Sequence, residues 1–239
     1  MPEDLRGPRI SCIIPTFNTA PFLGEAIESV LEQTYPLLEI LVVDDGSTDR
    51  TADVVRSFGT RLAYLARPHL GASAAMNAGI RAACGAYIAF LDADDLWHRE
   101  KLSRQMDWLA QRGEVDLCFT QYRNFWVSEL AEEERLYEGS LLARPTSGWS
   151  VSTLLTRREI FERFGFFEES VEEKHLQLIW ALRAAQQGAV VDVIPEVLMD
   201  RRLHPGNISR SWTMDEGFFR LLRTWRDFKT KEAEASDEE

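Results

Sequence analysis

Along the first half of the chain, short apolar runs without alternation are followed by segments whose apolar residues recur at helical spacing. The run "ISCIIPTF" is rich in β-branched residues and predicts a strand. "APFLGEAIESVLEQ" then sets Phe22, Leu23, Ala26, Ile27, Val30 and Leu31 on one helical face, with Asn18 or Thr19 as the cap before Pro21. "LLEILVV" predicts a second strand, "STDRTADVVRSF" a helix opened by capping residues, and "RLAYLA" a third strand. "GASAAMNAGIRAA" predicts a helix of small residues and "AYIAFL" a fourth strand. Strands that are apolar on both faces and separated by helices predict an α/β fold with a mostly parallel central sheet flanked by helices.

The second half is less regular. "REKLSRQMDWLAQRG" predicts a helix stopped by Gly113, and "VDLCFT" a further strand. Between Gln121 and Thr146 the acidic stretch "SELAEEERLYEG" interrupts the pattern, leaving a loop, a strand pair or a flap open. "GWSVSTLLTRREIFERFGFF" predicts strand then helix, and "LQLIWALRAAQQG" a helix closed by Gly188. "AVVDVI" and "EVLMDRRL" predict two short strands, and "EGFFRLLRTWRDF" a last amphipathic helix. Neither a repeat nor a linker divides the chain, so a single domain over residues 1–230 is expected, followed by a disordered acidic tail over 231–239.

Composition narrows the classes of partner. The 239 residues are 45% hydrophobic, enough for a sizeable core. A formal net charge of -12, from 39 acidic against 27 basic side chains, argues against nucleic acid or an anionic membrane as the main partner. Arg157, Arg158, Arg201 and Arg202 keep a local anion site open. Cys12, Cys84 and Cys118 are too scattered for a disulfide framework and predict free, buried thiols in a reducing compartment. With no apolar window of membrane-spanning length and no signal-type run in "MPEDLRGPR", the expected location is cytoplasmic.

The chemistry concentrates where apolar runs end in acids. "YIAFLDADDLW" closes on Asp92, Asp94 and Asp95, and "EILVVDDGSTD" on Asp44 and Asp45. Ligands of parallel α/β sheets lie outside the carboxyl ends of the strands, which is where these residues fall. Extended chain points Asp92 and Asp94 to one side, and hard oxygen ligands of that kind suit Mg²⁺ or Mn²⁺ shared with substrate phosphates. Helix capping by Asp94 or Asp95 ahead of "LWHREKL" is the plainer alternative, but three carboxylates exceed what a cap needs. In "DDGSTD", Asp45, Ser47 and Asp49 suit a turn leading to a helix capped by Ser47 or Thr48, whereas Asp44 suits a ligand such as a base N–H or a ribose hydroxyl.

Taken in order, "ISCIIPTFN", "QTYPLLEILVVDDGSTD", "GASAAMNAGIRAACGAYIAFLDADD", "FGFFEES" and "RRLHPGNIS" resemble the inverting nucleotide-sugar glycosyltransferases of family two, over roughly residues 9 to 210. The resemblance implies a GT-A fold, with a Rossmann-like nucleotide-sugar-binding half over 9–113 and a smaller acceptor-side half over 114–230. It implies a nucleoside-diphosphate sugar donor, most often UDP-linked, a Mn²⁺ or Mg²⁺ cofactor, and an acceptor (glycan, lipid, peptide or small molecule) that the sequence does not choose. By the family pattern, Pro15, Thr16 and Phe17 line the base pocket, Asp44 binds the base edge, Asp92 meets the ribose and Asp94 ligates the metal, with Asp92 beside it. His204 matches a histidine that in some relatives reaches the metal or diphosphate. Asn77 and Gly79 match an N-x-G step that shapes the helix beside the nucleotide.

Two positions depart from the family. Met76 stands where relatives often carry an arginine for the diphosphate; Arg67, Arg201 or Arg202 could compensate. After Phe167–Glu168–Glu169–Ser170 the family places an acidic pair whose Asp is the base, but an ungapped count to Arg183 puts Leu176 and Gln177 there. Glu172, Glu173 and His175 just upstream are the candidate catalytic bases; an acidic first turn on the helix dipole is the plainer role for the two glutamates. A protein that binds nucleotide or a partner without transfer is therefore the alternative. A nucleotidyltransferase ranks last, because "IIPTFNTA" lacks a phosphate-loop glycine. The aromatic stretches "NFWV" and "SWTM" could form core, an acceptor wall or a homodimer contact.

Overall fold

The computed structural model describes residues 7–36, 38–147, 149–170 and 175–207. Its elements run β1 (Ile10–Thr16), α1 (Ala20–Leu31), β2 (Leu38–Asp44), α2 (Thr51–Ser57), β3 (Ala63–Ala66), α3 (Ala72–Ala82), β4 (Tyr87–Phe90) and β5 (Leu96–Trp97). There follow α4 (Lys101–Gln111), β6 (Leu117–Trp126), α5 (Ala131–Tyr137), β7 (Thr146–Ser147), β8 (Leu155–Arg157), α6 (Ile160–Phe164), α7 (Leu176–Gln186) and β9 (Val191–Leu203). The strands form one sheet in the order β3-β2-β1-β4-β8-β6-β9-β5, with β7 on the side of β6. β1, β2, β3 and β4 pair in parallel, and β8 enters antiparallel between β4 and β6. β9 returns parallel to β6.

Both faces of the sheet are covered, which is why its strands show no alternation. On one face Ile10, Cys12 and Ile14 of β1 pack with Leu23, Ile27 and Val30 of α1 and with Leu102 and Leu109 of α4. On the other, Ile13, Val43 and Phe90 pack with Ala75, Met76 and Ile80 of α3 and with an aromatic cluster of Phe161, Phe167 and Trp180. Gly79 lets α3 lie this close to β1, because a Cβ there would meet Ile13 Cγ2 at 2.5 Å.

Several local expectations change. The segments "AVVDVI" and "EVLMDRRL" are one strand, β9, whose pairing with β6 steps from Thr120–Ile194 to Gln121–Val197. The resulting bulge takes up Pro195, which has no N–H for the ladder. "LW" is not a helix start: β5 pairs with β9, and α4 begins only at Lys101 after an N-cap at Glu100, so neither Asp94 nor Asp95 caps it. The region after Gln121 continues β6 to Trp126 and then forms α5, its acids in the first turn where the helix dipole favours them. α2 follows an N-cap at Arg50 rather than Ser47 or Thr48. Cys84 is exposed, while Cys12 and Cys118 are buried. The "SWTM" stretch, the last amphipathic helix and the acidic tail lie outside the described residues. Among those residues no helix is long and apolar enough to cross a membrane.

Candidate active site at the acidic strand ends

Parallel register brings the two acidic ends to the same edge: Thr16 of β1 pairs with Asp44 of β2, and β4 lies on the other side of β1. At the first end the two neighbouring carboxylates do different things. Asp45 is consumed by its own turn, accepting from Leu70 N at 3.0 Å and Gly71 N at 2.8 Å and meeting His69 Nδ1 at 2.7 Å. Asp44 accepts from Ser47 N at 2.8 Å and from the Tyr64 hydroxyl at 2.5 Å. Burial together with this carboxylate pushes the Tyr64 phenol up to about 12. Pro15 and Thr16 are buried beside Asp44, and Phe17 stands 42% exposed, stacked on His69 with centroids 4.1 Å apart. A carboxylate beside an exposed ring is suited to hold a flat base bearing an N–H at its edge.

The rest of "DDGSTD" ties two helices together. Asn18, with φ of 53°, accepts from Thr48 N and Asp49 N through Oδ1. Asp49 in turn accepts from Ala20 N, at the start of α1, and from Thr51 N, at the start of α2. Asp49 thus serves the first amide of α1, where Asn18 or Thr19 was expected to cap, and the first amide of α2, where Ser47 or Thr48 was.

The second end crowds three carboxyl groups into a buried turn. Burial and then the neighbouring Asp94 raise the Asp92 carboxyl to about 6, against the Ser152 hydroxyl and Arg201. Burial, Asp94 and Asp92 push Asp95 well above the usual carboxylate range, although it accepts from Arg202 N at 3.0 Å. The charge of Arg201 opposes both shifts. Arg202 is buried and already engaged: its Nε donates to Asp94 O at 2.9 Å, its guanidinium pairs with Glu25, and the rings of Phe22 and Phe125 flank it. It braces the acidic turn, and Phe125 of "NFWV" is part of that brace.

Asp94 Oδ2 meets His204 Nε2 at 3.0 Å and Asn207 Nδ2 at 3.1 Å. Asp92 and Asp94 are hard oxygen donors set close together at one strand end, and that donor set fits Mg²⁺ or Mn²⁺. Among the described residues no group of three or more His, Cys, Asp or Glu side chains could hold an ion alone. A divalent ion here would be held by one or two carboxylates and completed by substrate phosphates and water.

Other sequence candidates sit elsewhere. Asn77 is buried in α3, donating from Nδ2 to Phe167 O at 2.9 Å and Glu169 Oε1 at 2.8 Å and accepting from Phe167 N at 3.1 Å. It fastens the "FGFFEES" loop to the donor-side helix. Met76 is buried in the core of the same helix, and Arg67 donates to Ala74 O there. Leu176 is buried, Gln177 donates to Ser73 Oγ at 3.0 Å, and His175 holds a left-handed φ of 70° just before α7. Glu172 and Glu173 lie outside the described residues. Ser152 and Asn207 were missed from the sequence; nothing local marks Ser152, while Asn207 lies in the quoted "RRLHPGNIS" motif.

A mostly parallel sheet with acids beyond the ends of β2 and β4, on either side of β1, marks an α/β domain of GT-A type. The model of the family "Glycosyl transferase family 2" matches residues 11–173, and the chain belongs to that family of transferases. It is 29% identical over 221 residues to the uncharacterized glycosyltransferase RP339 of Rickettsia prowazekii, covering 85% of this chain and 67% of that one. S. aureus TarS 1–349, solved with UDP-GlcNAc, superposes with a TM-score of 0.70 at 20% identity, over 90% of this chain and 64% of TarS 1–349. The mannosyltransferase PcManGT of Pyrobaculum calidifontis, solved with GDP-Man and Mn²⁺, gives a TM-score of 0.67 at 24% identity, over 94% of this chain and 71% of its own. The chain therefore spans about two thirds of the length of RP339 and of TarS 1–349.

Proposed function

We propose that the chain transfers a sugar from a nucleoside-diphosphate donor, UDP-linked before others, to an acceptor nucleophile, with a divalent metal and with inversion. The observation that carries this is the pair Asp92 and Asp94 after β4, on the same sheet edge as Asp44 at the end of β2 and Phe17 just after β1. In this reading Asp44 accepts the N–H of the base, Phe17 covers its face beside Pro15 and Thr16, and Asp92 lies toward the ribose. Asp94, with Asp92, would hold Mn²⁺ or Mg²⁺, which when bound offsets the charge of the departing diphosphate. Arg201 adds a cation from β9, Arg202 keeps the acidic turn in shape, and Asn77 keeps the acceptor-side loop against α3. The acceptor attacks the anomeric carbon opposite the diphosphate, so the C–O bond to phosphate breaks as the new bond forms, and its proton passes to a base. His175, Glu172 and Glu173 are the candidates for that base, since Leu176 is buried and Gln177 is amidic and bonded to Ser73.

That same pair of positions supports a second reading, a nucleotide-binding relative without transfer; steady release of UDP or GDP from a donor sugar would remove it. The first reading is tested by melting-temperature shifts with UDP, GDP, CDP and dTDP, each with and without Mn²⁺. A Mn²⁺-dependent rise selective for one nucleotide supports the donor site, and no shift with any of them overturns it.

A further inference from the structure

Large apolar side chains stand in water along one short stretch of the second half. Leu136 and Tyr137 end α5, and Leu141 and Leu142 lie in the tight helical turn Leu141–Ala143 that packs beside it. Leu136 is 83% and Leu141 81% exposed. Clustered exposure of this kind marks a surface that something covers. The frame beneath is fixed to the sheet: Asn124 Nδ2 donates to Leu142 O at 2.8 Å, and Trp126 Nε1 to Glu133 Oε1 at 3.3 Å. The rim is acidic, because residues 128–144 hold Glu129, Glu132, Glu133, Glu134 and Glu138 against Arg135 and Arg144. An anionic lipid surface meets that charge as repulsion, and so does a second copy presenting the same patch.

The chain carries a complement of its own. β9 ends at Leu203, whose carbonyl accepts from Val127 N at 3.0 Å, so the backbone leaves the sheet beside the start of this stretch. From Asn207, the last described residue, the ten residues 208–217 reach up to about 35 Å, whereas α5 is only about 10 Å long. Further along the sequence, Phe218, Leu221, Leu222, Trp225 and Phe228 fall at the spacing of one helical face. Residues 216–231 set Arg220, Arg223, Arg226, Lys229 and Lys231 against Glu216 and Asp227. An apolar stripe with a net positive flank thus starts within reach of an apolar patch with a net negative rim. We propose that residues 216–231 dock on the patch of Leu136, Tyr137, Leu141 and Leu142 of their own chain, their basic side chains facing the glutamates of α5. No residue of the donor site takes part.

The direct test is cross-linking of the full chain on a Cys84→Ser background, which removes the exposed thiol. Glu138→Cys paired with Thr224→Cys spares the apolar contacts and places one thiol on each side of the interface. With a short bis-maleimide, peptide mapping should find the two cysteines joined within one chain at least about tenfold more often than Thr60→Cys with Thr224→Cys. Thr60 is exposed beside the edge strand β3, away from β6. Equal yields from the two pairs overturn the proposal. A link found only between two chains also overturns it, and assigns the patch to a second copy. Hydrogen exchange on the full chain tests the charges. Glu132→Lys with Glu134→Lys should speed exchange of the 218–228 amides about tenfold, and adding Arg220→Glu with Arg223→Glu should restore it. Exchange that ignores the reversal contradicts the docking. Protection of 218–228 that arises only on phosphatidylglycerol vesicles gives the segment to a membrane and overturns it as well.

Discussion

Lys101 opens α4 with no solvent exposure, and its surroundings allow a quantitative test of the packing. Its Nζ donates to Gln105 Oε1 at 2.8 Å and lies 4.1 Å from the centre of the Trp97 ring, and among the described residues no carboxylate is within ion-pair distance. Burial lowers its pKa from 10.5 to about 7, against the opposing influence of the Cys12 and Cys118 thiols. The folded state therefore holds fewer protons than the unfolded state between pH 7 and pH 10.5, and stability rises with pH across that window. At about 1.4 kcal/mol per pH unit, the displacement corresponds to a burden of about 4–5 kcal/mol near pH 7, mostly relieved by pH 10. Lys101→Met keeps the volume of the stem and removes the titration, while leaving Gln105 Oε1 without its donor at a cost of about 1–3 kcal/mol. The variant should be more stable than wild type by about 1–3 kcal/mol at pH 7, and the difference should shift by about 3 kcal/mol against it by pH 10, to zero or below. Denaturant unfolding of both chains at pH 7, 8, 9 and 10 reads this directly, and the difference cancels every other titrating group. A difference that does not change with pH would show that Lys101 stays charged in the core and would refute the reasoning.

Other perturbations test single contacts. Gly79→Ala drives a Cβ to 2.5 Å from Ile13 Cγ2, so denaturant unfolding should show a loss of about 1–3 kcal/mol. Asn77→Asp removes both amide donors and sets a charge against Glu169. It should destabilise by about 2–3 kcal/mol in the same assay and leave nucleotide affinity within about twofold, because the side chain faces Phe167. Tyr64→Phe takes one donor from Asp44; nucleotide affinity by calorimetry should fall about fivefold, the equivalent of one ordinary hydrogen bond.

The sheet was largely legible because a strand buried on both faces leaves an apolar run that nothing else in a short window imitates. Legibility failed where partners are remote. Pro195 reads as a strand break, yet a bulge against β6 absorbs it. Leu96 and Trp97 lead a helical pattern, yet β9 recruits them from a hundred residues away in sequence. The acids at the strand ends were visible as a group, but not how the work is divided among them. That Asp45 closes a turn over Leu70 and Gly71, and that Asp49 caps two helices, follows only from the fold. Arg202 looked suited to an anion and is held by Glu25, Asp94 O and two rings, none of them near it in sequence; β6–β9 pairing brings Phe125 beside it.

The central claim is that Asp94 joins metal and nucleotide at the end of β4. Titration calorimetry of UDP and of GDP, with Mn²⁺ present or removed by EDTA, on wild type and on Asp94→Ala tests it most directly. The account predicts wild-type binding to at least one nucleotide that weakens at least about tenfold on chelation, and an Asp94→Ala chain that binds only as weakly as the chelated wild type, whether or not Mn²⁺ is added. Nucleotide binding in Asp94→Ala that still strengthens with Mn²⁺ to the wild-type extent would contradict it.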